Sequence, residues 1–205
     1  MLAQLRNVSL SFPDKKVLED VSFTVYPGDR ISLVGENGAG KTSIFRMLKG
    51  RLAPDSGEVS LSRGVRIGYL EQDFAGMEDP QRTCKEVALE PFGPLIELER
   101  RIEILASELG EVGVSEHTSE LLADLGEAQQ RLEVSGGYEF RSRTQSTLTG
   151  LGLSEASWGR RVSELSAGQR VRLALARLLL EDHDLILFDE PTNHLDVSAR
   201  EWLEG

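Results

Sequence analysis

The segment RISLVGENGAGKTSIFRML, residues 30–48, restricts what this chain can fold into more than any other. An apolar run, RISLV, predicts a strand that ends at Gly35, and a helix is predicted from about Lys41 to Gly50. Between them GENGAGKT, residues 35–42, matches G-x-x-x-x-G-K-[ST] in the strand-to-helix context that this motif needs. Glycines let the backbone wrap closely, so successive N–H groups can point at phosphate oxygens. Lys41 adds a compact positive charge for the outer phosphates, and the helix N-terminus adds its partial charge. The Thr42 hydroxyl is the predicted Mg²⁺ ligand; Ser43 stands one residue late for that role and opens the helix.

A second segment, LILFDEPTNHLD (185–196), sets four apolar residues against two adjacent carboxylates. Leu185–Phe188 read as a strand covered on both faces, as in a parallel sheet under helices. Side by side at its end, Asp189 and Glu190 repel one another and lose hydration unless a ligand or cation uses them. An ordinary solvated turn is the plain alternative. With a magnesium nucleotide at Lys41 the two acids acquire separate tasks. Asp189 sits on the metal side, directly or through water, and Glu190 takes a proton from the attacking water or orients it.

Elsewhere the pattern is mixed. Residues 1–34 and 57–71 alternate short apolar runs with the turns PDKK, PGD and SRG, which predicts an antiparallel flank on an otherwise parallel core. Leu95, Leu98, Ile102, Leu105 and Leu109 form one helical stripe, and Leu121, Leu125, Ala128 and Leu132 a second. Two helices folded as an antiparallel hairpin would bury each stripe on the other, either as packed subdomain or as a protruding arm. RVRLALARLLL predicts a further helix, with Ser166, Ala167 and Gly168 leaving its first N–H groups exposed. The expected division is a core part over 1–84 with the phosphate loop, a helical subdomain over 85–164 with its arm at about 95–134, and a signature helix with catalytic strand over 165–205.

Charge and cysteine content narrow the function classes. A formal net charge of -11 works against indiscriminate attraction to nucleic acid or anionic lipid. That charge is segregated: residues 95–134 carry ten acids and three bases, whereas seven arginines fall between Arg141 and Arg177. The arginines could form a nucleic-acid face or be structural. One cysteine, Cys84, rules out an internal disulfide framework and fits a reducing, cytoplasmic setting. No apolar run is long enough for a bilayer, so no transmembrane segment is expected, and MLAQLRNVSLSF lacks the layout of a secretory signal.

GENGAGKT, Gln72 in IGYLEQD, LSAGQ (165–169), LILFDE and PTNHLD (191–196) together resemble the nucleotide-binding domain of ATP-binding cassette proteins. The Asn-His form of PTNHLD and the helical insertion ending in GGYEFRSR are similar to the first cassette of the ABC-F group, and the resemblance runs through essentially all 205 residues. It implies an α/β fold: a P-loop NTPase-like cassette core with an antiparallel β flank and an inserted α-helical subdomain or arm. It implies ATP and Mg²⁺ as cofactors. Phe12 would stack on the adenine. Gly35, Glu36, Asn37, Gly38, Ala39, Gly40, Lys41, Thr42 and Ser43 would hold the nucleotide, with Glu36 pointing away from the phosphates. Thr42, Gln72 and Asp189 would serve the metal, and Glu190 and Gln72 the catalysis. Ser166 and Gly168 would cap the phosphate of ATP bound by a second cassette, and Asp196 would lie at the cassette–cassette contact. Where glycine is common, Ala167 adds a methyl group. The family's switch histidine lies beyond REWLEG, so the chain is expected to hydrolyse weakly without its second cassette; the family's last core strands lie beyond it too, and apolar edges left exposed by their absence would allow self-association. For the intact protein the resemblance implies ATP-gated work on the ribosome, in translation or antibiotic resistance. The alternative is the ATP-binding subunit of a membrane ABC transporter. A DNA-repair cassette ATPase fits less well, because it would carry much longer coiled-coil or zinc insertions.

Overall fold

The structure is a computed structural model that describes residues 1–70, 79–111, 116–189, 199 and 202. It divides into two compact units, Met1–Gly76 with Glu181–Asn193, and Met77–Leu180 with His194–Gly205.

In the first unit, β1 (Ala3–Phe12) pairs antiparallel with β2 (Lys15–Val25) and with β3 (Ser56–Leu61), in the order β2-β1-β3. Pro13 and Asp14 make the turn, so Phe12 and Lys15 lie directly opposite one another at the hairpin's end. This is the expected antiparallel flank, except that the last strand read into it, within residues 57–71, pairs parallel in a separate sheet. Its inward residues Ala3, Leu5, Val8, Leu10, Leu18 and Val25 form one core with Ile44, Met47 and Leu48 of α1 (Lys41–Leu48) and Leu187 of β5 (Leu185–Phe188). A Schellman closure ends α1: Gly50 N–H donates to the Met47 carbonyl at 2.9 Å and Arg51 N–H to that of Arg46 at 2.8 Å.

The parallel part is smaller than the sequence suggests. β4 (Ile67–Leu70) pairs parallel with β5 in a two-stranded sheet. Residues 31–34, expected as the strand before the glycine loop, form no ladder. Ile31 is 50% exposed and Val34 95%. A strand needs a paired neighbour to satisfy its backbone, and no described residue pairs with this segment. Of β5 itself only Leu187 is buried and its other three residues are half-buried, so the strand is not covered on both faces as read from LILF.

The β4–β5 register is set by a clamp just before both strands. Arg66 N–H donates to Asp184 Oδ2 at 2.8 Å, and Asp184 N–H returns a bond to the Arg66 carbonyl at 2.9 Å. The Arg66 amide is the main reason that the Asp184 carboxyl is held below its ordinary value of 3.8, with the guanidinium a further cause. A depressed folded-state pKa stabilises above the unfolded value and is lost as pH falls through the folded one. The Arg66 amide resonance should therefore titrate with a midpoint below 3.8. A midpoint at or above that value would mean that the clamp does not form.

The second unit is helical: α2 (Cys84–Leu89), α3 (Gly93–Glu111), α4 (Glu116–Val134), α5 (Phe140–Gly150), α6 (Glu155–Trp158) and α7 (Ala167–Leu180). α3 and α4 are the predicted hairpin, with Leu105, Leu121 and Ala128 buried between them and Ile102, Leu109 and Leu125 packed alongside. Their seam is as read from the 3,4 spacing. α7 groups with α2 and α5 rather than with the catalytic strand, because Leu173, Leu175, Ala176 and Leu180 bury their side chains in this unit. The signature helix and β5, expected to share a segment over 165–205, thus fall in different units. Phe140, 2% exposed, anchors the helical core against Phe92, 5.2 Å between ring centroids.

The arginine-rich stretch is mostly structural. Arg141 bonds Glu99; Arg143 donates to the Leu179 carbonyl at 3.1 Å; Arg160 bonds the Glu164 carbonyl; Arg161 donates to Gln81 at 3.0 Å. Arg170 donates to the Leu165 carbonyl at 2.6 Å, and Arg177 lies 3.3 Å from Glu90. Side chains committed in this way tie helices and turns together. Burial pushes the Cys84 thiol up to about 11, so it remains a neutral apolar core group. Among the described residues, no helix is long and apolar enough to cross a membrane.

Candidate functional site

The glycine loop occupies the space between the end of the β1–β2 hairpin and the start of α1. Gly40 is the tight point. It has φ +97° and is buried, and a Cβ there would come within 2.7 Å of Leu18 Cδ2 and Val17 Cγ1. Lacking a Cβ, it lets the chain turn from loop into helix hard against β2. No side chain caps α1, so the amides of its first turn have no side-chain acceptor. They stand at the wall of a cavity of ≈ 540 Å³ lined by Phe12, Lys15, Val17, Asn37, Gly38, Gly40, Lys41, Thr42 and Ser43.

The cavity brings Phe12 to the same place as the loop. The ring is 49% exposed, which removes it from the core and leaves a face available for stacking. Lys41 Nζ donates to the carbonyls of Gly35 at 2.7 Å and Glu36 at 3.1 Å, closing the loop on itself. Gly35, Glu36 and Ala39 are not in the cavity lining; the first two act through those carbonyls, and Ala39 N–H donates back to Glu36 at 3.1 Å. Lys15 was not singled out in the sequence. It is hidden in PDKK, whose turn character masks that its first lysine is paired across the hairpin with Phe12.

Asp189 is 4% exposed and outside the lining of that cavity. Tyr69 Oη donates to its Oδ2 at 3.2 Å, and the Tyr69 ring packs on Phe45 of α1, 5.9 Å between centroids. A buried carboxylate needs such a donor to offset lost hydration. Tyr69 was legible only as a strand residue. Gln72, Glu190, Asp196 and the rest of PTNHLD lie outside the described residues.

The signature residues belong to the helical unit. Ser166 is the N-cap of α7: Gln169 N–H donates to Ser166 Oγ at 3.2 Å, while Ser166 N–H donates to Gln169 Oε1 at 2.9 Å. This reciprocal cap satisfies one of the amides expected to be exposed. The Ala167 side chain is exposed, so its extra methyl stands in solvent.

Another cavity, ≈ 440 Å³, runs along the α3–α4 hairpin between Arg101, Asp124, Glu127 and Arg131. It offers solvated charges in both signs and no cradle of amides.

The groups present fit a magnesium nucleotide. The Thr42 hydroxyl in the lining is the kind of hard oxygen ligand that Mg²⁺ takes, and the cradle at Gly40 exists only without a side chain.

A glycine loop feeding a helix, with an aromatic ring and two lysines at its mouth, defines a P-loop nucleotide-binding α/β domain. The ABC transporter family matches residues 18–193, and the chain belongs to it as an ATP-binding cassette of ABC-F type. Membership makes ATP, with Mg²⁺, the nucleotide of this site class. The chain is 35% identical over 201 residues to the energy-dependent translational throttle protein EttA of Mycobacterium tuberculosis, covering 98% of this chain and 34% of that protein. It is 36% identical over 200 residues to the tylosin resistance ATP-binding protein TlrC of Streptomyces fradiae, covering 98% and 36%. The chain thus spans about a third of the length of these curated relatives. Its fold matches the ATP-binding subunit of an ABC transporter, TM-score 0.63 at 21% identity over 99% of this chain and 72% of that one. It also matches a dimeric ATP-binding cassette in a post-hydrolysis state with ADP and Pi, TM-score 0.61 at 24% identity over 98% and 79%.

Proposed function

We propose that this chain is the first nucleotide-binding cassette of a cytoplasmic two-cassette ATPase that works on the ribosome, in translation or in antibiotic resistance. The observation that carries the nucleotide part is the cavity shared by Phe12 and the 37–43 loop. The ribosomal part rests on the relatives' names, a translational throttle and a tylosin resistance protein.

In this reading the Phe12 ring covers the adenine, and Lys41 with the first-turn amides of α1 binds the phosphates. Thr42 and Asp189 hold Mg²⁺, which when bound neutralises phosphate charge. Tyr69 keeps the Asp189 carboxylate in place through its hydroxyl. Glu190 accepts a proton from the attacking water or aligns it, and Gln72 serves the metal or that water. Ser166 Oγ, already accepting from Gln169, keeps its own O–H to donate to the phosphate of ATP held by the other cassette. Each nucleotide therefore needs both cassettes, and this chain alone should bind better than it hydrolyses.

The test is Glu190→Gln in the two-cassette protein. ATP affinity should hold within about two-fold, while phosphate release should drop by roughly 100-fold or more, the size of a lost general base. Unchanged phosphate release would remove Glu190 from the catalytic role. Cosedimentation with ribosomes, trapped by the same variant in ATP, tests the partner; absence from the ribosomal pellet would count against it.

A further inference from the structure

We infer that Lys15 is a second cation of the nucleotide site, delivered by the β1–β2 hairpin to bind the polyphosphate alongside Lys41. The inference rests on the nucleotide reading of the cavity and extends it to a residue that the glycine motif does not contain.

Four observations carry it. Lys15 pairs with Phe12 across the hairpin's two-residue turn, so one rigid hairpin end presents an aromatic ring and an ammonium together. Lys15 and Val17, two apart in β2 and so on one face of the strand, both line the cavity. Lys16, between them, is instead committed to Glu19 at 2.6 Å. Lys15 Nζ reaches the phosphate loop itself, donating to the Gly38 carbonyl at 3.2 Å.

The chemistry left over is what a polyphosphate needs. An ammonium has three N–H donors, and the Gly38 carbonyl uses one. No carboxylate neutralises Lys15 among the described residues, so its charge is directed into the cavity without internal compensation. Gly38 sits at φ +79°, a left-handed backbone that favours glycine, in the part of the loop that the ammonium reaches. Lys15 thus contributes in proportion to ligand charge, whereas Phe12 contributes to every adenine ligand alike. The pair makes the hairpin end a reader of adenine together with phosphate number.

The experiment titrates the chain with ATP, ADP, AMP and adenosine, for the native sequence and for Lys15→Gln, Lys15→Arg and Lys41→Ala. Glutamine can still donate to the Gly38 carbonyl but has no charge. Lys15→Gln should weaken ATP by roughly 5- to 20-fold, the range of a partly exposed charge-assisted hydrogen bond, with a smaller loss for AMP and none for adenosine. Lys15→Arg should restore most of the loss, and the salt dependence of ATP affinity should flatten in the glutamine variant. Native ATP affinity in Lys15→Gln would show that Lys15 only braces the loop and would overturn the inference. An equal loss for all four ligands would overturn it also, by showing a structural effect. Failure of the native chain to bind any of them, or full binding by Lys41→Ala, would overturn the nucleotide reading of the cavity itself.

Discussion

Lys41→Ala is expected to lower ATP affinity by about two to three powers of ten while leaving the melting temperature nearly unchanged. The ammonium is half-buried and is held ready by the Gly35 and Glu36 carbonyls, so the free protein does not have to reorganise to use it. A triphosphate replaces those neutral acceptors with charged ones, and two charge-assisted hydrogen bonds at about 1.5–2 kcal/mol each give this factor. On the stability side, the alanine removes hydrogen bonds to two loop carbonyls that solvent can reach, at a cost of about 1 kcal/mol or less. Isothermal titration beside thermal melting separates the two effects. Binding retained within about three-fold would show that the phosphates are held elsewhere. A collapse of the melting temperature would show instead that Lys41 is a structural tie across the loop.

What could be read from the residues depended on how local the cause was. GENGAGKT, the PDKK turn and the 3,4 spacing of the hairpin each act within a few residues, and the structure places loop, turn and paired helices where those signals put them. The RISLV run failed for the opposite reason. Its β-branched residues raise strand propensity, but a strand exists only when another backbone accepts its N–H groups, and no propensity supplies that partner. Val34 in solvent is the result. The arginine-rich stretch misled in a similar way. Charge density in sequence cannot show that Arg141 meets Glu99, forty-two positions away, or that Arg143 meets a carbonyl of α7. Tyr69 and Lys15 are the two additions to the candidate site, and neither belongs to a motif. Both depend on pairings that only the folded chain makes, Tyr69 on the parallel ladder that brings it to Asp189 and Lys15 on the hairpin register.

Gly40→Ala should act on fold and ligand together, and more severely than its single added methyl group suggests. The backbone at φ +97° is the left-handed region that L side chains avoid, which costs about 1–2 kcal/mol. The added Cβ would also meet Leu18 Cδ2 and Val17 Cγ1 at 2.7 Å. Leu18 belongs to the sheet core, so its side chain has little room to retreat, and overpacking of that kind costs a further 1–3 kcal/mol or about that. The first turn of α1 and the loop amides must then shift away from β2, and the cavity wall goes with them. Gly50→Ala is the matched control. It too has a positive φ, +67°, but its Cβ would meet nothing within 4 Å, so it measures the backbone cost alone. Denaturant unfolding should place Gly40→Ala below Gly50→Ala by the packing term, about 1–3 kcal/mol. ATP titration should show near-native affinity for Gly50→Ala and a loss of at least about ten-fold for Gly40→Ala, since a shift of roughly an ångström is enough to misplace the amides. Equal stability of the two variants would mean that β2 does not press on the loop. The cradle would then owe its shape to the glycine's backbone freedom alone.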